Sequence, residues 1–583
     1  MQVSTGAFDR AFNIVQRIQA RRAAAKQIVT ALTLQPEPKS LGSVARGRQL
    51  TAGNFQFSGH LIEAPHHSPW SLTMPSAAFR DAVHSGVWID DLLALPEQSA
   101  RKLAQDWIFD WIDIHGNGKG DGWTPHITGQ RVLRWVHNAL ALMRGQSEDR
   151  SDAFLVSLAQ QTVFLSKSWH RTAAGKPRFD ALCGLLTGAL SLEGLDISVD
   201  AILAALSKEC SNTFAKDGGI ASRNPEELLE LCALLMWCRT ALVHADKSIP
   251  AELDQTLDRG AEALRVLQHA DGTLTRAHGG DYGTHGRLEQ VLSLVKPSRA
   301  VNGQSVMGFM RLNVGRSSVI MDAAKPSAYS RSDKAHASTL SFELSSGRRP
   351  VIVSAGSGYS FGPDWHLSSR QSQAHSALMI GGESSSTLLG TLSGQAVYLT
   401  TDMSAPKAHI SHETSDTHMT AQHDGYAERY GLTHRRSLSL SHDGRRVTGE
   451  DHIFAEDRRR AHLFHRALDR TGLSGLPIEL RFHLHPSSEA HRNMGDNAVA
   501  ITLANGEVWA LRFGQKLSVE ITPSVYFQAG RIAPQESRVI VATAAATTDE
   551  MTLRWTLDRL TEGGKTTRDI KTDAGQMSFL KSN

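Results

Sequence analysis

Apolar residues recur every three or four positions along the first half of the chain and every second position along the second half, and this change of period divides the sequence. Val132, Trp135, Val136, Ala139, Leu140 and Met143 form one stripe with Arg131, Arg134, His137 and Asn138 off it, which predicts an amphipathic helix. The same period returns around 100–114, 153–168, 179–193, 198–210, 226–243 and 251–268. Short breaks rich in Gly, Pro, Asp and Asn separate these segments, among them HGNGKGDGWTP (115–125) and AKDGGIASRNP (215–225). In the second break Asn224 is placed to cap, and Pro225 to open, the helix EELLELCALLMW. Serial helix pairs of this kind predict an incomplete (α/α) toroid over residues 1–295.

From about residue 305 the pattern alternates and fills with β-branched residues. MGFMRLNVGRSSVIMDA, LSFELSS, PVIVSAG, SALMIGG, AVYLTTD, RRSLSLSH, RVTGEDHIF, IELRFHLHP, AVAITL, EVWALRF and RVIVATAA read as short strands parted by turns. With no helices between them they predict an antiparallel β-sandwich over residues 296–583, hinged to the helical half near 288–303.

Composition narrows the functional classes. A chain of 583 residues is too long for one core. At 40% hydrophobic and 21% charged it is ordinary globular protein, and its net charge of +3 is scattered, so no nucleic-acid partner is expected. No apolar run is long enough to predict a membrane span. The four cysteines, Cys183, Cys210, Cys232 and Cys238, sit in apolar helical stretches without metal-ligand spacing and read as buried thiols. Charges threaded through MQVSTGAFDRAFNIVQRIQARRAAAKQIV interrupt the apolar core that a signal peptide needs, so a cytoplasmic protein is expected.

Candidate chemistry lies in four places. Asp217, Arg223 and Asn224 precede a helix N-terminus, where free N–H groups favour an anion, although Asn224 as a plain cap and Arg223 in an ion pair explain them equally well. The segment HADGTLTRAHGGDYGTHGR (269–287), which carries His278 and Tyr282, is too rich in glycine for a core, so its polar groups face solvent, a partner domain or a ligand. His336 and His375 stand at the mouths of two successive strands, either structural alone but together a candidate for proton transfer. The loop between them holds Tyr359 and Trp365 as sugar-stacking rings and Arg370 as an anion-binding fork. His483 and His485 share one strand face, a spacing zinc can use, but no third ligand accompanies them and a polar outer face is the expectation.

AHASTLSFELSSGRRPVIVSAG (335–356), RQSQAHSALMIGG (370–382) and GYAERYGLTHRRSLSL (425–440) resemble strands of the heparinase II/III-like polysaccharide lyases, and the layout of nearly the whole chain is similar to theirs. The resemblance implies a toroid followed by a sandwich, with the active site in the cleft between them. It also implies β-elimination on an acidic, uronate-containing polysaccharide or oligosaccharide: a donor neutralises the carboxylate, a base takes the C5 proton and an acid protonates the leaving O4. By position His336 matches the family's catalytic histidine. The SRNP loop falls where the family carries DGG-x-x-x-x-SP-x-Y, which makes Arg223 and Asn224 carboxylate neutralisers. The catalytic set so implied is His336, Tyr282, Asn224, Arg223 and His375, with Arg178, His278, Tyr359, Trp365 and Arg370 binding substrate.

The chain departs from the family in three respects. Glu226 and Glu227 stand where the family has its tyrosine, leaving Tyr282 or Tyr359 to replace it. AAGKPRFDALCGLL stands where the family has an Asn-His pair, leaving Lys176 or Arg178 as neutraliser. Ser338 and Ser354 stand where some relatives place ligands of a structural metal, so neither a metal nor any other cofactor is expected. Two other readings remain: a glycoside hydrolase using Asp217, Glu226, Glu227 and Asp281 as paired acids, and a non-catalytic carbohydrate-binding or envelope-assembly protein that keeps the fold.

Overall fold

The computed structural model describes residues 5–26, 31–34, 41–295, 304–327, 332–389, 397–412, 416–471, 474–492, 497–514 and 517–561. Helices run as far as Arg287–Ser293, and strands of the second half begin at Gln304–Val306. Long helices at Gln98–His115, Pro125–His137, Glu148–Ser168, Lys176–Ser191, Val199–Thr213, Pro225–His244 and Ala251–Leu267 pack as serial pairs into an incomplete toroid. Side-chain caps fix where several of them begin. Ser147, Ser198 and Asn224 each accept the N–H three residues on, and Pro225 fills a first turn whose N–H needs no partner.

Two glycines let Pro125–His137 and Lys176–Ser191 meet backbone to backbone. A Cβ on Gly129 would lie 2.1 Å from the carbonyl oxygen of Asp180, and one on Gly184 2.3 Å from that of Gly129.

The expected stripe through Met143 is cut at Asn138, so that Pro125–His137 and Ala139–Met143 are separate helices and Leu140 faces solvent. The Asn138 amide donates to Asp90 Oδ1 at 3.1 Å and to the Arg134 carbonyl at 3.0 Å, a tertiary contact that overrides the local period. The residues off the stripe are not on a wet face either. Arg131 is buried, donating to Gln161 Oε1 (2.6 Å) and the His84 carbonyl (2.7 Å), with its guanidinium 4.0 Å from the Trp111 ring centroid. The toroid encloses both flanks of this helix, so its polar residues are satisfied internally rather than solvated. A short hairpin, Asn54–Phe57 with His60–Glu63, also stands in the helical half, where no strand was expected.

In the second half, two antiparallel sheets stack face to face. One has eight strands, ordered Lys407–His412, Asp416–Tyr426, Leu432–Ser441, Arg446–Phe454, Glu550–Thr561, Val508–Phe513, Ala498–Thr502 and Glu489–His491. The other has nine and runs Ser518–Tyr526, Gln535–Ala546, Leu476–Leu484, Arg349–Val353, Phe342–Ser346, Ser317–Asp322, Phe309–Val314 and Gln304–Val306, with Leu378–Ile380 added beside Leu476–Leu484. Phe342, Phe482 and Trp555 pack between the sheets. A helix at Arg458–Arg470, unexpected from the strand-like pattern around it, is capped by Asp457 and turns Phe464, Ala467 and Leu468 inward.

The nine-stranded sheet also seals the toroid. Val306, Met307, Phe309 and Ile320 belong to the apolar core of the helical half, so the two halves share a packed seam. All four cysteines are buried thiols in the helical half.

Candidate functional site

The seam carries a chain of polar side chains that begins on the helical half. Arg223, in the left-handed region at φ 58, turns its guanidinium into the sheet. Its Nε donates to the Met307 carbonyl at 2.9 Å, and Nη1 to those of Ala324 and Lys325 at 3.1 and 3.0 Å. Nη2 donates to Asp322 Oδ1, and the Phe309 ring lies 4.8 Å from the guanidinium carbon. Asp322 ends the strand Ser317–Asp322, and its other oxygen accepts from Ser338 Oγ at 2.7 Å and lies 3.3 Å from His278 Nε2. Burial alone would raise this carboxyl, but Arg223 and His278 outweigh it and hold the group well below the usual carboxylate range.

Three imidazoles extend the chain. His278 Nδ1 accepts the backbone N–H of His336 at 3.2 Å, so its proton sits on Nε2, toward Asp322. His336 Nδ1 is 3.2 Å from His375 Nε2, and His375 Nδ1 is 3.1 Å from Ser354 Oγ. His336 Nε2 is buried and finds no hydrogen-bond partner among the described residues. Each of the three residues is 1% exposed. Burial pulls all three below the ordinary histidine value, His375 down to about 3.

Beside this chain lies a second buried set. Arg276 Nε donates to Asp281 Oδ1 at 3.0 Å and Nη2 donates to the Phe527 carbonyl. Its guanidinium stands 4.2 Å from the Tyr526 ring and 5.0 Å from that of Tyr282, and the two phenol groups hydrogen-bond to each other. Gly356, at φ +91, is required here because a Cβ would lie 1.7 Å from Arg276 Nη2. Glu343 accepts from His269 Nε2 (3.1 Å) and Thr275 Oγ1 (2.8 Å). A cavity of about 10 Å³, lined in part by Arg276, Asp322, Glu343, Ser354 and His375, separates the two sets. It has room for about one water and none for a sugar ring.

The remaining candidates divide between structural and exposed positions. Asn224 caps its helix through Oδ1, which receives the Glu227 N–H at 3.1 Å. Arg178, expected to bind substrate, donates to Glu209 Oε2 at 3.2 Å and the Thr172 carbonyl at 2.7 Å. Arg370, expected as an anion fork, is fully buried and donates to the carbonyls of Ala335, Val397 and Ser332 at 2.9, 2.7 and 2.5 Å, so its fork closes a loop. Tyr359 is half-buried beside His366 and Lys334, while Trp365 is 39% exposed and packs its edge on Phe527.

Among the paired acids, Asp217 serves the loop and the seam, accepting the N–H of Gly219 at 3.0 Å and that of Met307 at 2.9 Å. Asp281 is held by Arg276 and by the N–H of Ala529. Glu226 differs from both. It is half-buried and accepts the Asp281 N–H at 2.8 Å, and burial together with the Asp281 carboxylate pushes it up to about 7.

The structural metal of some relatives does not fit the residues present. Where its ligands would stand, Ser338 donates to Asp322 and Ser354 pairs with His375. Deeper in the sandwich, Asp451 is occupied by His434, Arg436 and Trp555 Nε1 at 2.7, 2.7 and 2.9 Å. His483 bonds to the Gln373 carbonyl at 2.9 Å, and His485 lies beyond its strand against Tyr526. Sequence reasoning missed Asp322, Glu343, Arg276 and Tyr526. The first two sit in apolar strand patterns, and the last two lie about 250 residues apart, so no local signal marks them.

Residues 296–556 match the family profile described as heparinase II/III-like, C-terminal. A crystal structure of heparinase III is similar over 96% of this chain and 92% of that one, with a TM-score of 0.65 at 14% identity. A crystal structure of a mutant of the heparan sulfate lyase HepC from Pedobacter heparinus is similar over 96% and 90%, with a TM-score of 0.57 at 14% identity. In sequence, the FtsZ-localized protein C of Caulobacter vibrioides is 26% identical over 536 residues, 91% of this chain and 90% of that protein. Residues 296–556 thus carry the sequence pattern of the heparinase II/III-like C-terminal region, and the chain as a whole shares the fold of these lyase structures.

Proposed function

We propose that this protein is a non-catalytic, acidic-glycan-binding protein of cell-envelope assembly that works in the cytoplasm on a polysaccharide-lyase scaffold. One observation carries the reading: His336, which elimination would use as its base, lies in the seam at 1% exposure, with its affinity for a proton pulled well below that of an ordinary imidazole. A base must reach the C5 proton and must be strong enough to hold it, and burial works against both. Arg223 and Asn224, the implied neutralisers of the uronate carboxylate, are bound to Asp322 with backbone carbonyls and to a helix N-terminus. The likeness to a relative named for its localization with FtsZ supports an assembly role over a digestive one.

Calorimetric titration with uronate oligosaccharides, run beside ultraviolet detection of the conjugated C4–C5 double bond, tests this. Binding without any absorbance rise is expected. The substitution His336→Ala should leave binding intact while lowering stability by about 1–3 kcal/mol, because it strips a buried partner from His375. An absorbance rise that disappears in His336→Ala would restore the lyase reading with His336 as base.

A second reading is favoured by Glu226, whose half-buried carboxyl is poised near neutrality on the first turn of its helix. Here the fold keeps an elimination in which Glu226 carries the proton. Its expected signature is turnover with a midpoint near pH 7, lost in Glu226→Gln and retained in His336→Ala.

A further inference from the structure

The last three turns of the helix Thr5–Ala24, from Ile14 on, are sorted against the usual rule among the described side chains. Their small and polar residues Gln16, Ala20 and Ala23 are buried, while Ile14, Val15 and Ile18 are 58%, 38% and 44% exposed. The buried side is fastened to the helix Glu148–Ser168. Gln160 Nε2 donates to the Ala24 carbonyl at 2.7 Å, and Gln19 Nε2 to that of Lys167 at 3.4 Å. A docked helix that turns Ile14, Val15 and Ile18 outward leaves these three for something other than its own core.

Charge identifies what that is. The helix sequence carries Arg10, Arg17, Arg21 and Arg22 against the single acid Asp9, and Lys26 follows it. Ile14 and Ile18 are one turn apart, and Arg21 and Arg22 continue the same face in the next turn, both exposed. Apolar side chains that penetrate about 5–10 Å, flanked by long cations whose stems bury while their heads stay wet, match the boundary of an anionic bilayer. A protein partner for the same face would need acidic groups placed to meet those arginines, whereas a leaflet of anionic lipid presents negative charge everywhere. No helix among the described residues is long and apolar enough to cross a membrane, so this contact lies on the surface.

We propose that the outer face of Thr5–Ala24, through Ile14, Val15, Ile18, Arg21 and Arg22, seats the protein on an anionic lipid bilayer. The inference is independent of the glycan reading, since none of these residues lies in the seam.

Co-sedimentation of the full chain with phosphatidylglycerol-containing vesicles, against pure phosphatidylcholine vesicles, tests it. Binding is expected to the anionic vesicles and to weaken with salt. Arg21→Ala with Arg22→Ala should weaken it about thirtyfold, and Ile14→Asp with Ile18→Asp should abolish it. Both pairs are on the exposed face, so their thermal melts should match that of the unaltered protein. Failure to bind anionic vesicles, or undiminished binding by the Ile14→Asp/Ile18→Asp protein, overturns the proposal. So does an equilibrium-sedimentation dimer that these substitutions disperse while vesicles remain unbound, because the face would then belong to a second copy.

Discussion

Replacing Arg223 with methionine is expected to destabilise the protein by about 3–5 kcal/mol, the largest effect of any single seam substitution. The guanidinium is the cation that keeps Asp322 ionised inside the seam, and its other N–H groups satisfy carbonyls of Met307, Gly308, Ala324 and Lys325. Without it, a carboxylate at 3% side-chain exposure loses its principal counter-charge, and four carbonyl oxygens lose a donor that water cannot easily replace. Because these contacts join the Asn224 loop of the helical half to the sheet, the loss should also uncouple the halves. Urea unfolding followed by tryptophan fluorescence, with Trp135 and Trp237 in one half and Trp509 and Trp555 in the other, should change from one transition to two. The double variant Arg223→Met/Asp322→Asn should recover part of the loss by removing the orphaned charge. A loss below about 1 kcal/mol with a single transition would show that solvent already reaches the pair.

The same residues show how far the sequence could be read. The toroid, the sandwich and the caps at Asn224 and Pro225 followed from period and turn chemistry, because those signals are local. The histidines at 336 and 375 were also visible as a pair, and the structure brings them within hydrogen-bonding distance. What that pair does was not legible. Whether an imidazole faces substrate or a closed seam depends on how tightly two distant halves pack, and Asp322, which organises the contact with Arg223, looks in sequence like the last residue of an ordinary strand. Arg178 and Arg370 were hard to read for the same reason, while Arg223 took the ion-pair role that its loop had left open. A guanidinium set in a loop reads as an anion fork, yet each one here binds carbonyls or a carboxylate contributed by residues remote in sequence or hidden in irregular backbone. Conversely, Glu226 marked a departure from the family pattern, and it is the one candidate acid whose proton affinity the fold tunes to neutrality.

Acid should unfold this protein through its histidines before its carboxylates are protonated. Burial, aided by Arg131, pushes His84 down to about 2. Burial with Arg134 pushes His137 to about 3, and burial with His483 pushes His375 to about 3. In the unfolded chain each returns to 6.5. Below that value the unfolded state therefore binds more protons than the folded one. The stability associated with neutral rings is complete above pH 6.5 and drains as pH falls toward the folded values, by about 1.4 kcal/mol per pH unit for each ring. At about pH 5 these three rings together remove roughly 6 kcal/mol, comparable to the whole stability of a typical domain. His278, His336 and His423 are shifted in the same direction and steepen the fall. Asp322 and Asp451 are held below the carboxylate range, so what they contribute is lost only once pH drops through the unfolded value of 3.8. Urea midpoints measured from about pH 7.5 to about pH 5 should stay level at first and then decline below the unfolded value of 6.5, the slope reaching about three protons or more at about pH 5. The variant His137→Asn should reduce that slope by one. A flat profile over this range would mean that these imidazoles take up protons without unfolding, at odds with the burial of His84 and His137 in the helical half and of His375 in the seam.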